Sequence, residues 1–259
     1  MIFIDKNIFF SYNKSMNKFM LEIEYNGKDF SGWQKQPAMR TVQGVIEEAI
    51  FASTKQAVEV VGSGRTDAGV HALGQVAHFE IDLNLPTEKI KEILNRALPE
   101  DVKIKNVKVA GEDFHARFSA HKKTYVYKIL NSQEKRIFEK DYASREEKPL
   151  DTIFMQKCAD LLVGTHNFKG FCSSQTQVQS FERTIFGITV KRQDEHIFVE
   201  VTGNGFLYNM VRIIVGTMVD FAHGKLSESD VKEALATGNR AKSGKTMPAC
   251  GLYLKEVIY

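Results

Sequence analysis

The chain has 259 residues, 43% hydrophobic and 26% charged, which suffices for one large core or two modest ones and excludes a wholly disordered chain. A formal charge of only +3 excludes a global positive field, so any nucleic-acid footprint must come from local clusters of Lys and Arg. The most apolar run, residues 210–222, is interrupted by Arg212 and Asp220 and is too short to cross a bilayer.

Residues 1–17 contain short apolar pieces such as Ile8-Phe9-Phe10 but neither the basic start nor the long apolar core of a secretory signal. They read as a loose tail or an over-called start, with Met16 or Met20 as the alternative first residue. Residues 19–25 alternate as a strand. Residues 41–53 place Val42, Val45, Ile46, Ala49 and Ile50 on one helical face. Residues 58–61 and 75–81 read as strands flanking a glycine-bearing loop. Residues 86–97 form a helix with Pro at its start and Ile90, Ile93 and Leu94 facing inward, and 102–109 alternate as a closing strand.

The order βαββαβ then recurs without repetition of sequence. Residues 124–130 read as a strand, 151–162 as a helix, 184–190 and 197–202 as strands, 206–221 and 228–236 as helices, and 252–258 as the last strand. The Lys/Arg/Glu-rich stretch 132–149 and the Ser/Gln-rich stretch 170–180 read as loops or inserts. The fold expected is α+β, with two ferredoxin-like halves, 18–120 and 121–259, forming one extended antiparallel sheet with helices on one face. A free face bearing basic side chains would suit RNA, although the aromatic stacking pattern of RNA-recognition modules is absent. Cys158, Cys172 and Cys250 are far apart, odd in number and lack metal-ligand spacing, so they read as reduced thiols of a cytosolic protein.

The most informative stretch is the loop Gly62-Ser63-Gly64-Arg65-Thr66-Asp67-Ala68-Gly69. It fails the dinucleotide fingerprint, because Asp67 stands where the third glycine should be and a strand follows in place of a helix. It fails the Walker pattern too, because no Gly-Lys-Ser/Thr closes it. Taken alone, it is a hairpin turn whose Asp67 hydrogen-bonds its own backbone. A carboxylate aimed outward from such a turn can also act as a nucleophile at a sugar C1′ or an electrophilic base carbon, without a metal. Arg212 lies in the first turns of an otherwise apolar helix, where a guanidinium needs a carboxylate, a phosphate or an escape to the surface. Tyr125 and Tyr127 share one strand face, where aromatic residues are commonly core.

Gly64-Arg65-Thr66-Asp67-Ala68-Gly69-Val70-His71-Ala72, with Gly74-Gln75-Val76 and His78-Phe79, resembles the signature of the tRNA pseudouridine synthase A family. Further similar blocks follow in order: Phe114-His115-Ala116-Arg117-Phe118-Ser119-Ala120, Lys123-Thr124-Tyr125-Val126-Tyr127, Met210-Val211-Arg212-Ile213-Ile214-Val215-Gly216 and Gly251-Leu252-Tyr253-Leu254. The resemblance covers roughly residues 18 to 259. It departs from the family pattern in the N-terminal tail and at Met247, where a smaller residue is usual.

The resemblance implies a pseudouridine-synthase fold and isomerisation of uridine to pseudouridine at positions 38, 39 and 40 of the tRNA anticodon stem-loop. It implies no cofactor, no metal and no membrane, and a homodimer in the cytoplasm. By the same resemblance Asp67 is the nucleophile and Arg212 its partner, holding the carboxylate charged by lowering its pKa. Tyr125 stacks on the uracil, and its hydroxyl is a candidate for handling the C5 proton. Arg65 contacts RNA or fills the space of the extruded base. Lys122 and Lys123 meet phosphates, although a charged strand end would look identical. His71, His78, His115 and His121 read as structural or RNA-contacting. The runner-up from another class is a non-catalytic RNA-binding protein of two ferredoxin-like units.

Overall fold

The computed structural model describes residues 16–173 and 178–259. Most of the expected tail, and residues 174–177 of the Ser/Gln-rich stretch, lie outside the described residues. Asn17, assigned to the tail, already belongs to the first strand, β1 (Asn17–Tyr25), and its amide donates to the Leu83 carbonyl. Along β1, Phe19, Leu21, Ile23 and Tyr25 are buried while Met20 and Glu22 are less so, the alternation of a half-covered sheet. The helix α1 (Val42–Thr54) starts at Thr41, whose hydroxyl accepts from the Gly44 N–H. Burial of Val42, Ile46 and Ile50, about 1.5–3 kcal/mol each, holds it to the sheet more firmly than its own propensity does.

The expected strand 58–61 is reduced to β2 (Val61–Gly62), which pairs with β3 (His71–Ile81). The reason is local: the Val60 N–H is taken by the buried Glu47 carboxylate of α1 in place of a strand partner. The helix α2 (Thr87–Ala97) and the strand β4 (Val102–Val109) complete the first half, with Pro86 just outside the helix.

The second half runs through β5 (Lys122–Asn131), β6 (Ser144–Glu146), α3 (Thr152–Asp160), β7 (Gly164–Asn167), β8 (Glu182–Gln193), β9 (His196–Gly203), α4 (Met210–Ala222), α5 (Glu228–Thr237) and β10 (Leu252–Ile258). Two short strands therefore lie within or next to regions expected to be loops, β6 pairing parallel to β5 and β7 antiparallel to β8. The helix expected from residue 206 starts at Met210, because Asn209 adopts a left-handed conformation (φ 60°) that a helix cannot pass through.

All ten strands form one sheet in the order β4-β1-β3-β10-β5-β9-β8-β7, with β2 beside β3 and β6 beside β5. Each half keeps the ferredoxin-like order fourth-first-third-second strand: β4-β1-β3-β2, then β10-β5-β9-β8. Because β2 is so short, the edge of β3 is open to β10, which joins it in parallel at His71 and Ala72. That joint fuses the halves. The helices gather as α1 with α2 and α3 with α4 on the apolar face. The other face is only partly free, since the 111–118 and 136–142 segments cross it, pinned by His78 and by His71. No helix among the described residues is long and apolar enough to cross a membrane.

Candidate active site

The loop carrying Asp67 is held from four sides. The Tyr25 hydroxyl meets Thr66 Oγ1 at 2.8 Å, and the Trp33 N–H donates to the Thr66 carbonyl at 3.0 Å. The fully buried Gln75 accepts from Ser63 Oγ at 2.7 Å and donates to the Gly64 carbonyl at 3.1 Å. Lys123 Nζ donates to the Ser63 carbonyl at 2.5 Å. Gly32 sits at φ +92°, and a Cβ there would fall 2.6 Å from the Thr66 oxygen, so only glycine lets the neighbouring chain approach the loop this closely. The turn closes with the Val70 N–H on the Asp67 carbonyl at 3.1 Å. The Asp67 carboxylate does not cap its own turn, which removes the simple hairpin reading. It turns instead toward α4.

There it meets Arg212 Nη1 at 3.3 Å, with the two side chains 25% and 17% exposed. Arg212 is further held by its Nε, which donates to the Met247 carbonyl at 2.6 Å, and by Nη1, which donates to Asn209 Oδ1 at 2.6 Å. The ion pair anticipated between distant segments is thus present, but its electrostatic consequence differs from the expectation. Desolvation raises the Asp67 pKa by more than the Arg212 charge and hydrogen bond lower it, leaving the carboxyl above the ordinary carboxylate value. Sequence reasoning identified the cation and missed the burial.

Tyr125 lies on the core face of β5, buried beside Phe206 with ring centroids 5.1 Å apart at 86°. Its hydroxyl has no hydrogen-bond partner among the described residues, and burial together with the nearby Tyr25 and Asp67 raises its pKa. Tyr127, two residues on, is wholly buried and donates to the Pro248 carbonyl at 2.7 Å, a core role. Arg65 is exposed, without a hydrogen bond or ion pair among the described residues. Lys122 is exposed, its Nζ 5.3 Å from the Phe186 ring centroid. Lys123 is engaged by the loop's own backbone, and burial, with Arg117 nearby, pushes its pKa down to about 8.

The histidines divide. His71 Nδ1 accepts from the Gly27 N–H at 3.1 Å, so its Nε2 carries the proton toward the Asp141 carbonyl at 3.0 Å. It is neutral, stacked on Tyr253 and structural. His78 accepts from the Ala116 N–H and anchors the 111–118 segment. Cys158 is buried in α3, its thiol pushed up to about 12 by desolvation. No cluster of three or more His, Cys, Asp or Glu with metal-binding geometry occurs among the described residues.

The free sheet face, expected to suit RNA, is not where these residues meet. Asp67, Arg212 and Tyr125 converge on the helix-bearing face, where α4 approaches the loop. Sequence reasoning passed over Tyr25, Thr66, Gln75 and Asn209. The available signal for the last was an Asn directly before a helix, which reads as an ordinary cap.

One carboxylate on a braced loop, one arginine against it and one aromatic wall thus meet on a duplicated βαββαβ sheet. A family model described as tRNA pseudouridine synthase matches residues 23–119 and 158–259. The tRNA pseudouridine synthase A of Brevibacillus brevis is 46% identical over 244 residues, spanning 94% of this chain and 100% of that protein. That of Bacillus subtilis is 43% identical over 239 residues, spanning 92% of this chain and 97% of that protein. Among solved structures, a chain of a Cbf5-Nop10-Gar1 complex covers 92% of this chain and 58% of its own length at 12% identity, with a TM-score of 0.36, too slight a likeness to argue from. The chain belongs to the tRNA pseudouridine synthase A family, whose members are isomerases.

Proposed function

We propose that this protein isomerises uridine to pseudouridine in the anticodon stem-loop of tRNA, at positions 38, 39 and 40, with Asp67 as the nucleophile. The observation that carries this reading is the contact of the Asp67 carboxylate with Arg212 on a loop tied down by the buried Tyr25 and Gln75. In the route through C1′, an Asp67 oxygen forms a bond to C1′ as the N1–C1′ bond breaks, and the uracil leaves with the electron pair. The base turns, C5 bonds to C1′ as the Asp67 oxygen departs, C5 loses its proton and N1 gains one. The sum is an isomerisation that consumes no water, hydride or metal. Attack at C6 of the base is the competing route and uses the same oxygen.

Tyr125 lies beneath the turning uracil, and its hydroxyl is the candidate for handling the C5 proton; burial keeps it a phenol, so it would pass its own proton on as it receives one. Arg65, exposed two residues before Asp67, enters the space vacated by the extruded nucleotide. Lys122 meets phosphate. Lys123 contributes a phosphate contact through the donors its ammonium does not spend on Ser63. The halves divide at residues 18–120 and 121–259, and the protein works as a cytoplasmic homodimer with tRNA spanning both protomers.

Replacement of Asp67 by Ala tests the reading against the non-catalytic alternative. Tritium release from tRNA labelled at uridine C5 is expected to vanish while tRNA binding persists. Undiminished release by D67A would remove the nucleophile assignment.

A further inference from the structure

Asn209 occupies the N-cap of α4, where an Asn side chain ordinarily accepts a hydrogen bond from a backbone N–H of the first turn. It makes no such bond. Its backbone is left-handed, at φ 60° and ψ 6°, a conformation Asn tolerates better than most residues but still at a cost. Its amide is committed at both ends: Oδ1 accepts from Arg212 Nη1 at 2.6 Å, and Nδ2 donates to Ser173 Oγ at 2.9 Å. A residue that forgoes its cap in this conformation has its side chain placed for the guanidinium.

The order of distances shows what that placement achieves. Arg212 is 2.6 Å from the Asn209 and Met247 oxygens, both neutral, and 3.3 Å from the Asp67 carboxylate. Good N–H···O bonds to a charged partner lie near 2.7–2.9 Å, so the carboxylate is the loosest of the three contacts. A nucleophile that bonds to carbon surrenders its charge. An arginine held only by that charge would then be a buried cation without a partner. Held by Asn209 and Met247, it stays in place through the covalent stage and meets the carboxylate again when the ester breaks.

We propose that Asn209 is a positioning residue for the reaction, fixing the Arg212 guanidinium independently of the charge state of Asp67. The proposal rests on the assignment of Asp67 as nucleophile. The groups around this pair are Tyr125 from β5, which lies in the field of Asp67, Thr66 next to Asp67 on the loop, Tyr25 behind Thr66, and Lys123 beneath Ser63. Tyr127 and Cys250 lie within the field of Arg212. Of these, only Arg212 directly opposes protonation of Asp67.

Asn209→Gly and Asn209→Ala both remove the amide. Glycine keeps the left-handed backbone freely, whereas alanine strains it, so two backbones report on one lost side chain. With either folded variant, kcat for tritium release at the neutral plateau is expected to fall roughly ten-fold or more. KM for tRNA should stay within about two-fold, and the acid limb of the pH profile should move to higher pH. Acetamide added to the glycine variant should restore part of kcat by refilling the amide site. A drop in melting temperature with an unmoved acid limb and no response to acetamide would make Asn209 a structural cap and overturn the proposal. If D67A retains activity, the nucleophile assignment fails first. If D67A is dead and the limb of N209G is unmoved, only the positioning role of Asn209 fails.

Discussion

Asp67 and Arg212, 145 positions apart in the chain, meet at 3.3 Å across the gap between a loop of the first half and a helix of the second. The contact is possible because β10 crosses to pair with both β3 and β5, fixing the two halves in one sheet. It is not a tight pair. Arg212 is anchored more closely by neutral oxygens, and burial keeps the Asp67 pKa above the ordinary carboxylate value despite the cation. Ionisation of Asp67 is thus disfavoured relative to an exposed carboxylate, the imbalance of desolvation over pairing that marks a candidate functional carboxyl.

That balance has a stability signature. A carboxyl whose folded pKa is raised stabilises the folded state most below its unfolded value of about 4, and this contribution is lost as pH rises through the folded value. Asp67→Asn removes the charge and keeps the shape. It is expected to raise the melting temperature at neutral pH, a gap that narrows as the pH falls toward the unfolded carboxyl value of about 4. A variant that melts below wild type at neutral pH would show that the Arg212 pairing outweighs desolvation.

The same balance governs activity against pH. Arg212→Lys keeps a positive charge but loses the planar fork that spans Asp67, Asn209 and Met247. With the opposing cation displaced, desolvation dominates further and the acid limb of kcat/KM is expected to move upward, with kcat reduced at least ten-fold. A pH profile of tritium release measures both. An acid limb that shifts downward would contradict a carboxyl at Asp67 whose pKa burial raises and Arg212 lowers.

The loop scaffold can be loosened without touching the reacting groups. Tyr25→Phe deletes the hydroxyl that meets Thr66, leaving a buried polar atom unpaired, and is expected to destabilise by about 1–2 kcal/mol in denaturant unfolding. Gly32→Ala forces a positive φ on alanine and a Cβ into the Thr66 carbonyl, with an expected loss of about 1–3 kcal/mol. Both should lower kcat more than they weaken tRNA binding. Wild-type turnover in G32A would mean that the loop is not held where it is needed.

The basic residues separate by salt dependence. Arg65 and Lys122 are exposed and free of acidic partners among the described residues, so Ala at either should reduce the slope of log affinity for tRNA against log salt by about one if it meets a phosphate. Lys123 is bound to the Ser63 carbonyl, and K123A should cost stability as well as slope. An unchanged slope for K122A would assign that lysine to its contact with Phe186 alone.

The element order was legible because hydrophobic alternation in β1, β4, β5 and β9 and the apolar face of α1 follow directly from which side chains touch the core. The short strands β6 and β7 were not, since three- and four-residue polar segments owe their pairing to neighbours that the sequence does not place beside them. Val58 to Val60 read as strand by composition, yet the Val60 N–H is claimed by Glu47 from a preceding helix. The choice of Asp67 and Arg212 as the candidate pair rests on the resemblance. The direction of the Asp67 pKa could not, because burial is a property of the assembled site. Gln75, Tyr25 and Asn209 act only through tertiary contacts; Gln75 lies within the family-like block, but nothing in that block announces its bracing of the loop.

The central claim, that the Asp67 carboxylate bonds to carbon, is tested most directly with tRNA containing 5-fluorouridine, which has no C5 proton to lose and so stalls the exit from the covalent stage. Protein mixed with this tRNA, quenched and digested, should yield a nucleotide adduct on the peptide containing Asp67, absent in D67A. An adduct on any other residue, or rapid turnover of the normal substrate by D67A, would contradict the nucleophilic role of Asp67.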